Sequence, residues 1–260
     1  MPVCETLLKE RLDTLYKEYN CESYIQYDPI KYVYEFEDET EIELMALIAS
    51  CLSFGRVIQI FKALDRLLEI FHHEPLKYVS DLKERPDPKL FSFRYRFVTG
   101  LDVFNLLLTA QRIIKEYGSI GQFARKHYKK GGLDDLADEI IRAFTEVHYL
   151  VPSSLRNSPC KRLFMFFRWM VRHDNVDLGL WNFIPARELV IPLDTHIFRV
   201  SKELGLTNRC SASRNTALEI TDNLRKYSES DPVKYDWALS HMGIIKNNFA
   251  RKSPGHEDVM

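Results

Sequence analysis

Apolar residues recur along most of the chain at helical rather than strand spacing. Residues 3 to 18 and 40 to 54 both carry the amphipathic pattern, and in the second Ile42, Met45, Ile48, Ala49 and Leu52 fall on one stripe. Gly55 interrupts it. A further helical stretch from Val57 to Phe71 runs into His72-His73-Glu74-Pro75, where the proline disfavours helical geometry at Glu74. Between the first two helices, YIQYDPIKYVYEFED (24–38) is rich in tyrosine and β-branched residues and is broken by Pro29. One short strand without a partner is not a sheet, so an extended segment laid over the helices is predicted there.

Residues 101 to 116, 118 to 128 and 133 to 147 give three more helical patterns, the last two separated by the loop signal Lys129-Lys130-Gly131-Gly132. VPSSLRNSP (151–159) is a polar connector. Helices follow at 159 to 173, 195 to 204, 212 to 227 and 232 to 247, with an irregular stretch around Asn175 to Pro192. No period of 20 to 50 residues recurs, which argues against a solenoid. The pattern predicts an all-α fold: one globular unit over 1–260, in two helical parts of approximately 1–150 and 151–260 that meet at the connector.

Composition narrows the class. The chain has 260 residues, 45% of them apolar, enough for a sizeable core, and its formal net charge of -1 excludes a polycationic coat for nucleic acid. Any charge-driven partner must be met by a local patch. The five cysteines (Cys4, Cys21, Cys51, Cys160, Cys210) are scattered without a C-x-x-C pair, so no disulfide framework, cysteine-rich metal site or iron–sulfur cluster is expected. Charges at positions 5, 9, 10, 11 and 13 break up any signal-peptide core, and the most apolar run, Leu44 to Phe54, is well short of a membrane span. A soluble cytoplasmic protein with no membrane partner is expected.

Charge is nonetheless segregated locally. From Val147 to His173 the chain carries Arg156, Lys161, Arg162, Arg168 and Arg172 and no acidic residue. Within the helix there, Leu163, Phe166, Phe167 and Met170 make the apolar stripe, while Lys161, Arg168 and Arg172 lie along another face. Such a ridge either tracks phosphates or is a solvated face. Ser158-Pro159 reads as a helix start, with Ser158 as cap, Pro159 in the first helical position and Lys161 in the first turn. The positive end of that helix, with Arg162 beside it, disfavours an ammonium, which is what a Schiff-base nucleophile needs. An ordinary surface lysine is the bland alternative. Cys160 is a pocket neighbour of the lysine rather than a nucleophile, because no histidine partner is identifiable for it. His72-His73-Glu74 is read as surface, since adjacent histidines point apart and a third metal ligand is not evident. Trp169 and Trp181 are pocket candidates with core as the alternative, and Phe164, Phe166 and Phe167 are read as core.

The most distinctive string is PLDTHIFRVSKELGL. Asp194 stands where a helix beginning at Thr195 would be capped, and a carboxylate held there can also stabilise positive charge developing on a sugar ring. The string resembles the aspartate segment of the helix-hairpin-helix DNA glycosylase superfamily, V-D-T-H-[VI]-x-R-[VI], with Leu193 in place of valine. ELMALIASCLSFGRVIQIF is similar to that superfamily's early helix and YDWALSHMGIIKNNF to its closing one. The resemblance implies a two-part helical fold with a central cleft, Asp194 as a catalytic carboxylate, His196 near the DNA backbone, and a monomer acting on damaged duplex DNA without a cofactor or metal.

The lysine segment departs from that pattern. SSLRNSPCKRLFMFF lacks the glycine hairpin that precedes the superfamily's catalytic lysine, so the helix-hairpin-helix is degenerate, and Lys161 stands 33 residues before Asp194. In this the chain resembles the archaeal 8-oxoguanine glycosylase branch. SPCKRLFMFFRWMVR with VDLGLW and IPLDTHIFR is similar to a bacterial family described only as a conserved domain of unknown function, over roughly positions 25 to 250. The resemblance therefore implies base-excision repair of an oxidised purine such as 8-oxoguanine, with possible abasic-site lyase activity: Lys161 as nucleophile, Asp194 as carboxylate, and Ser158, Cys160, Arg162, Arg168 and His196 against the nucleic acid. The competing expectations are a non-catalytic nucleic-acid-binding protein on a degenerate glycosylase scaffold, and a helical interaction protein in which the Asp194 segment is only a cap.

Overall fold

The computed structural model describes residues 2–147, 149–152, 155 and 158–241, apart from the side chains of 2–4 and 129–131. The chain runs through α1 (Pro2–Tyr19), α2 (Glu39–Leu52), α3 (Val57–Ile70), α4 (Pro75–Ser80), α5 (Pro88–Phe91), a hairpin of β1 (Arg94–Tyr95) and β2 (Val98–Thr99), α6 (Gly100–Tyr117), α7 (Ile120–Ala143), α8 (Lys161–Val171), α9 (Thr195–Glu203) and α10 (Arg214–Arg225). Helical backbone resumes at 236–241. The fold is all-α, and among the described residues this hairpin is the only sheet.

α2 is the central element. Every residue from Ile42 to Leu52 is buried, including Glu43 and Ser50, and the helix packs against α8, α7, α4 and the turn Pro29–Tyr32. The sequence reading gave it a single apolar stripe, but LMALIASCL has no charged face to offer water, and a helix apolar all round goes to the interior. Asp38 fixes its start by accepting the Glu41 N–H at 3.0 Å.

Two further expectations are corrected. The segment 24–38 is not extended: it folds into 3-10 turns at Glu22–Tyr27 and Pro29–Tyr32, with Pro29, Ile30 and Tyr32 buried. Asp28 caps the second turn by accepting the Ile30 N–H at 3.0 Å, and its proline sits at a turn start, where no N–H is needed. Lys129 to Gly132 is not a loop between two helices, because α7 continues through it. The loop signal survives as one dihedral: Gly132 takes φ +83°, a conformation that glycine reaches at little cost. The last helix expected over 232–247 is described only to residue 241, so its remainder, with the second half of YDWALSHMGIIKNNF, lies outside the described residues, as does Arg156.

The first helix meets the last described segment. Trp237 Nε1 donates to the Tyr19 carbonyl at 2.9 Å, and the Tyr235 hydroxyl donates to Asp13 Oδ1 at 2.7 Å. α1 therefore packs against the C-terminal segment. No helix among the described residues is long and apolar enough to cross a membrane.

Candidate functional site

Two helix N-termini bring Lys161 and Asp194 together. α8 does not start as the sequence suggests: its cap residue is Cys160, in the left-handed region at φ +49°, and Lys161 is the first helical residue. Ser158 is not the cap. Its hydroxyl accepts the Cys160 N–H at 3.2 Å, closing a tight turn just before the helix. A non-glycine residue with that φ stores strain of about 1–3 kcal/mol, which the surrounding packing must hold, and it sets the direction in which Lys161 leaves the backbone.

Asp194 does cap α9. Its Oδ1 accepts the N–H groups of His196 and Ile197, both at 2.9 Å, and its other oxygen, Oδ2, lies 4.0 Å from Lys161 Nζ. Both side chains are 30% exposed, so the pair is reachable from solvent. The separation is longer than a hydrogen bond, which leaves the two as close electrostatic partners. Lys161 Nζ also lies 3.5 Å from the Ser53 carbonyl at the end of α2. The alternatives of structural cap and facing carboxylate are thus compatible, one oxygen to each.

The remaining candidates fall into different places. Arg162 is half-buried: it donates to the Cys51 carbonyl at 2.8 Å and lies 5.1 Å over the Phe54 ring, tying the start of α8 to the end of α2. Burial pulls its guanidinium below the usual arginine range. His196 is half-buried on the first turn of α9, and Ser158 is exposed. Cys160 is buried, with its Sγ 3.4 Å from the Ser158 carbonyl, and burial pushes its thiol up. A buried thiol does not reach a phosphate, so Cys160 is withdrawn as a nucleic-acid contact and keeps its role as the lysine's neighbour.

Arg168 is also withdrawn. It is buried, with Nε 3.2 Å from Asp177 Oδ1 and Nη1 paired to Asp236. Arg172 is buried beside it, held by Asp177, by Asp174 at 2.8 Å and by Asp231 at 3.0 Å. The two arginines of the apparent basic ridge are the cationic half of a buried network whose carboxylates arrive from later in the chain, whereas Lys161 stands apart with Asp194. Trp169, Trp181, Phe164, Phe166 and Phe167 are all core.

A cluster that the sequence reading missed adjoins the pair. The turn of the hairpin, Arg96-Phe97, reaches the loop after α2: Phe97 stacks on Phe54 with centroids 5.1 Å apart, Arg96 lies 5.8 Å over Phe54, and the Tyr95 hydroxyl donates to the Phe54 carbonyl. Tyr149 packs on Phe97 at 5.4 Å, and both remain more than half exposed, at 60% and 54%. Arg96 sits at φ +54°. Gly55 makes this approach possible, because at φ +96° a Cβ there would meet Arg96 Nη1 at 2.6 Å. SFGR and RYRF were the available signals, aromatic residues beside arginines in turns.

These features define an all-α protein with a solvent-reachable lysine–carboxylate pair between two helix N-termini, bordered by exposed aromatic rings. Residues 28–245 match the family described as "Protein of unknown function (DUF2400)", and the chain belongs to that family. No curated protein and no solved structure matches it.

Proposed function

We propose that the protein is a DNA glycosylase with abasic-site lyase activity, acting on a flipped, damaged base, with an oxidised purine such as 8-oxoguanine favoured. The observation that carries this reading is the 4.0 Å approach of Lys161 Nζ to Asp194 Oδ2 across 33 residues of sequence, with both groups open to solvent. A lysine amine can form an imine with a sugar carbon, and a carboxylate beside it can accept the proton that the amine loses. The resemblance of the Asp194 segment to the helix-hairpin-helix glycosylases supplies the substrate.

The steps balance on these two side chains. Lys161, once deprotonated, attacks C1′; the bond from C1′ to the base breaks, its electron pair leaves with the base, and the base takes up a proton. Asp194 Oδ2 accepts the proton that the lysine nitrogen loses and offsets positive charge at C1′. Opening of the sugar, with protonation of its ring oxygen, gives the imine. Asp194 then accepts a proton from C2′, the 3′ phosphate departs with the C3′–O electron pair and the strand is cleaved, and water hydrolyses the imine to release the lysine. Extruding the nucleotide costs a few kcal/mol, least for a damaged or unpaired base.

The test is borohydride trapping of the purified protein on duplexes carrying 8-oxoguanine or an abasic site, with Lys161→Ala and Asp194→Asn alongside. The expected result is a covalent adduct that disappears in the lysine variant and is strongly reduced in the aspartate variant. An adduct that survives Lys161→Ala would assign the chemistry elsewhere. Salt-dependent binding without any adduct would leave a binding protein on the same scaffold.

A further inference from the structure

Three chain segments converge on the cluster beside Lys161, and none of them carries a carboxylate. Residues 51–64 supply Phe54, residues 88–101 supply Arg96 and Phe97, and residues 147–173 supply Tyr149, Lys161 and Arg162. The chain as a whole holds 37 Asp and Glu in 260 residues, so the meeting of Phe54, Arg96, Phe97, Tyr149 and Arg162 from stretches without a carboxylate is a local segregation of charge. Val57, Ile58, Phe91 and Leu101 on the same segments are exposed as well. The surface therefore offers aromatic faces interleaved with cations, and the carboxylate that borders it, Asp194, is paired with Lys161 at 4.0 Å.

We infer that the Phe54–Phe97–Tyr149 cluster is a stacking platform for unpaired nucleotides, so that the preferred DNA is single-stranded or locally unpaired rather than a continuous duplex. The inference rests on the reading of DNA as the partner and specifies its form. A duplex keeps its base faces stacked on one another and presents only edges and phosphates, which exposed rings do not recognise. Unpaired bases present free faces, and aromatic side chains hold them without regard to sequence. Phe97 and Tyr149 are adjacent at 5.4 Å and more than half exposed, while Arg96, over the Phe54 ring, is an exposed cation at the edge of these rings that a phosphate backbone can meet. Arg96 holds its strained φ of +54° at the tip of this platform, where its side chain meets the partner ring. Lys161 Nζ is 3.5 Å from the carbonyl of Ser53, the residue before Phe54, so the platform and the reactive pair share one border.

The experiment is fluorescence anisotropy with an end-labelled oligonucleotide of about 15 nucleotides, single-stranded and annealed to its complement, against the full chain and its Phe97→Ala, Tyr149→Ala and Arg96→Ala variants. The single strand is expected to bind at least tenfold more tightly than the duplex. Each aromatic truncation should lower single-strand affinity on the order of tenfold while duplex affinity stays within twofold. Arg96→Ala should reduce the slope of log affinity against log salt by about one contact. These residues are exposed, and unchanged thermal midpoints would verify that the variants fold. Equal or tighter binding of the duplex, an unchanged Phe97→Ala protein, or no salt-dependent binding of either DNA would overturn the inference. Trapping separates the two readings: a protein that forms the Lys161 adduct on duplex yet shows no strand preference sinks the platform alone. One that prefers the single strand and forms no adduct on any substrate sinks the chemistry alone.

Discussion

Asp194 divides its carboxylate between two partners: Oδ1 holds the first turn of α9 through two N–H groups at 2.9 Å, while Oδ2 faces Lys161 Nζ at 4.0 Å. Substitutions can separate the two roles. Asp194→Asn keeps an oxygen for the cap and removes the charge, so its thermal midpoint should stay close to that of the parent while adduct formation on an abasic duplex falls at least tenfold. Asp194→Ala loses the cap as well and should be less stable by about 1 kcal/mol. Urea unfolding of the two variants checks the difference; equal destabilisation by both would mean that the charge, not the cap, holds α9 in place.

The buried arginines make the opposite prediction from a surface ridge. Arg168 is enclosed by Asp177 and Asp236, and its removal leaves two buried carboxylates short of a partner. Arg168→Ala should cost about 3–5 kcal/mol of stability. The slope of DNA affinity against salt, measured on the folded fraction, should not change, because no phosphate reaches this side chain. A stable Arg168→Ala protein with weakened DNA binding would restore it to the surface.

Glu43 is a buried acid on the central helix, accepting the Gly121 N–H at 2.7 Å and the Trp181 indole N–H at 2.8 Å. Burial raises its carboxyl above the usual range despite those donors. A folded-state value above the unfolded one of about 4.3 means that the native state binds the proton more tightly. The corresponding stability is present below about pH 4.3 and is lost as pH rises through the folded value. Glu43→Gln should flatten that part of the curve of unfolding free energy against pH, and an unaltered curve would assign the slope to other groups. Gly121→Ala should be severely destabilising by itself, since its Cβ would stand 2.0 Å from Glu43 Oε1 and 2.9 Å from the Trp181 nitrogen.

How far the sequence could be read depended on whether the relevant forces were local. Helical spacing located most helices within a few residues, because α3, α6, α9 and α10 each bury one stripe, whereas α8, expected to do the same, is buried on every side from Leu163 to Val171. Asp194 was legible as a cap for the same reason: it acts on residues two and three positions away. Arg168 and Arg172 were misread because two of their partners, Asp236 and Asp231, come from a segment some 60 residues later, and the nearer two, Asp174 and Asp177, reach them only once the chain turns back after α8. Lys129 to Gly132 looked like a loop by composition, but the helix passed through with one dihedral adjusted. The meeting of Phe54 with Phe97 and Tyr149 depends on a hairpin too short to leave an alternating pattern.

Gly55 gives access to the geometry of that cluster without touching an aromatic ring. It sits at φ +96°, with Arg96 Nη1 and the Tyr95 hydroxyl over the place where a side chain would begin, at 2.6 and 3.3 Å. In Gly55→Ala the methyl group meets both the left-handed backbone, worth about 1–2 kcal/mol, and the hairpin residues that close over the loop. Arg96 is flexible and can withdraw, whereas Tyr95 is anchored through its hydroxyl to the Phe54 carbonyl, so the hairpin tip must shift away from Phe54. The expected outcome is a modest loss of stability together with a fall in single-strand affinity comparable to that of Phe97→Ala. Duplex affinity should be unchanged. If Gly55→Ala loses stability yet binds single strands as the parent does, the Phe54–Phe97 stack is packing alone, and the bases are held elsewhere.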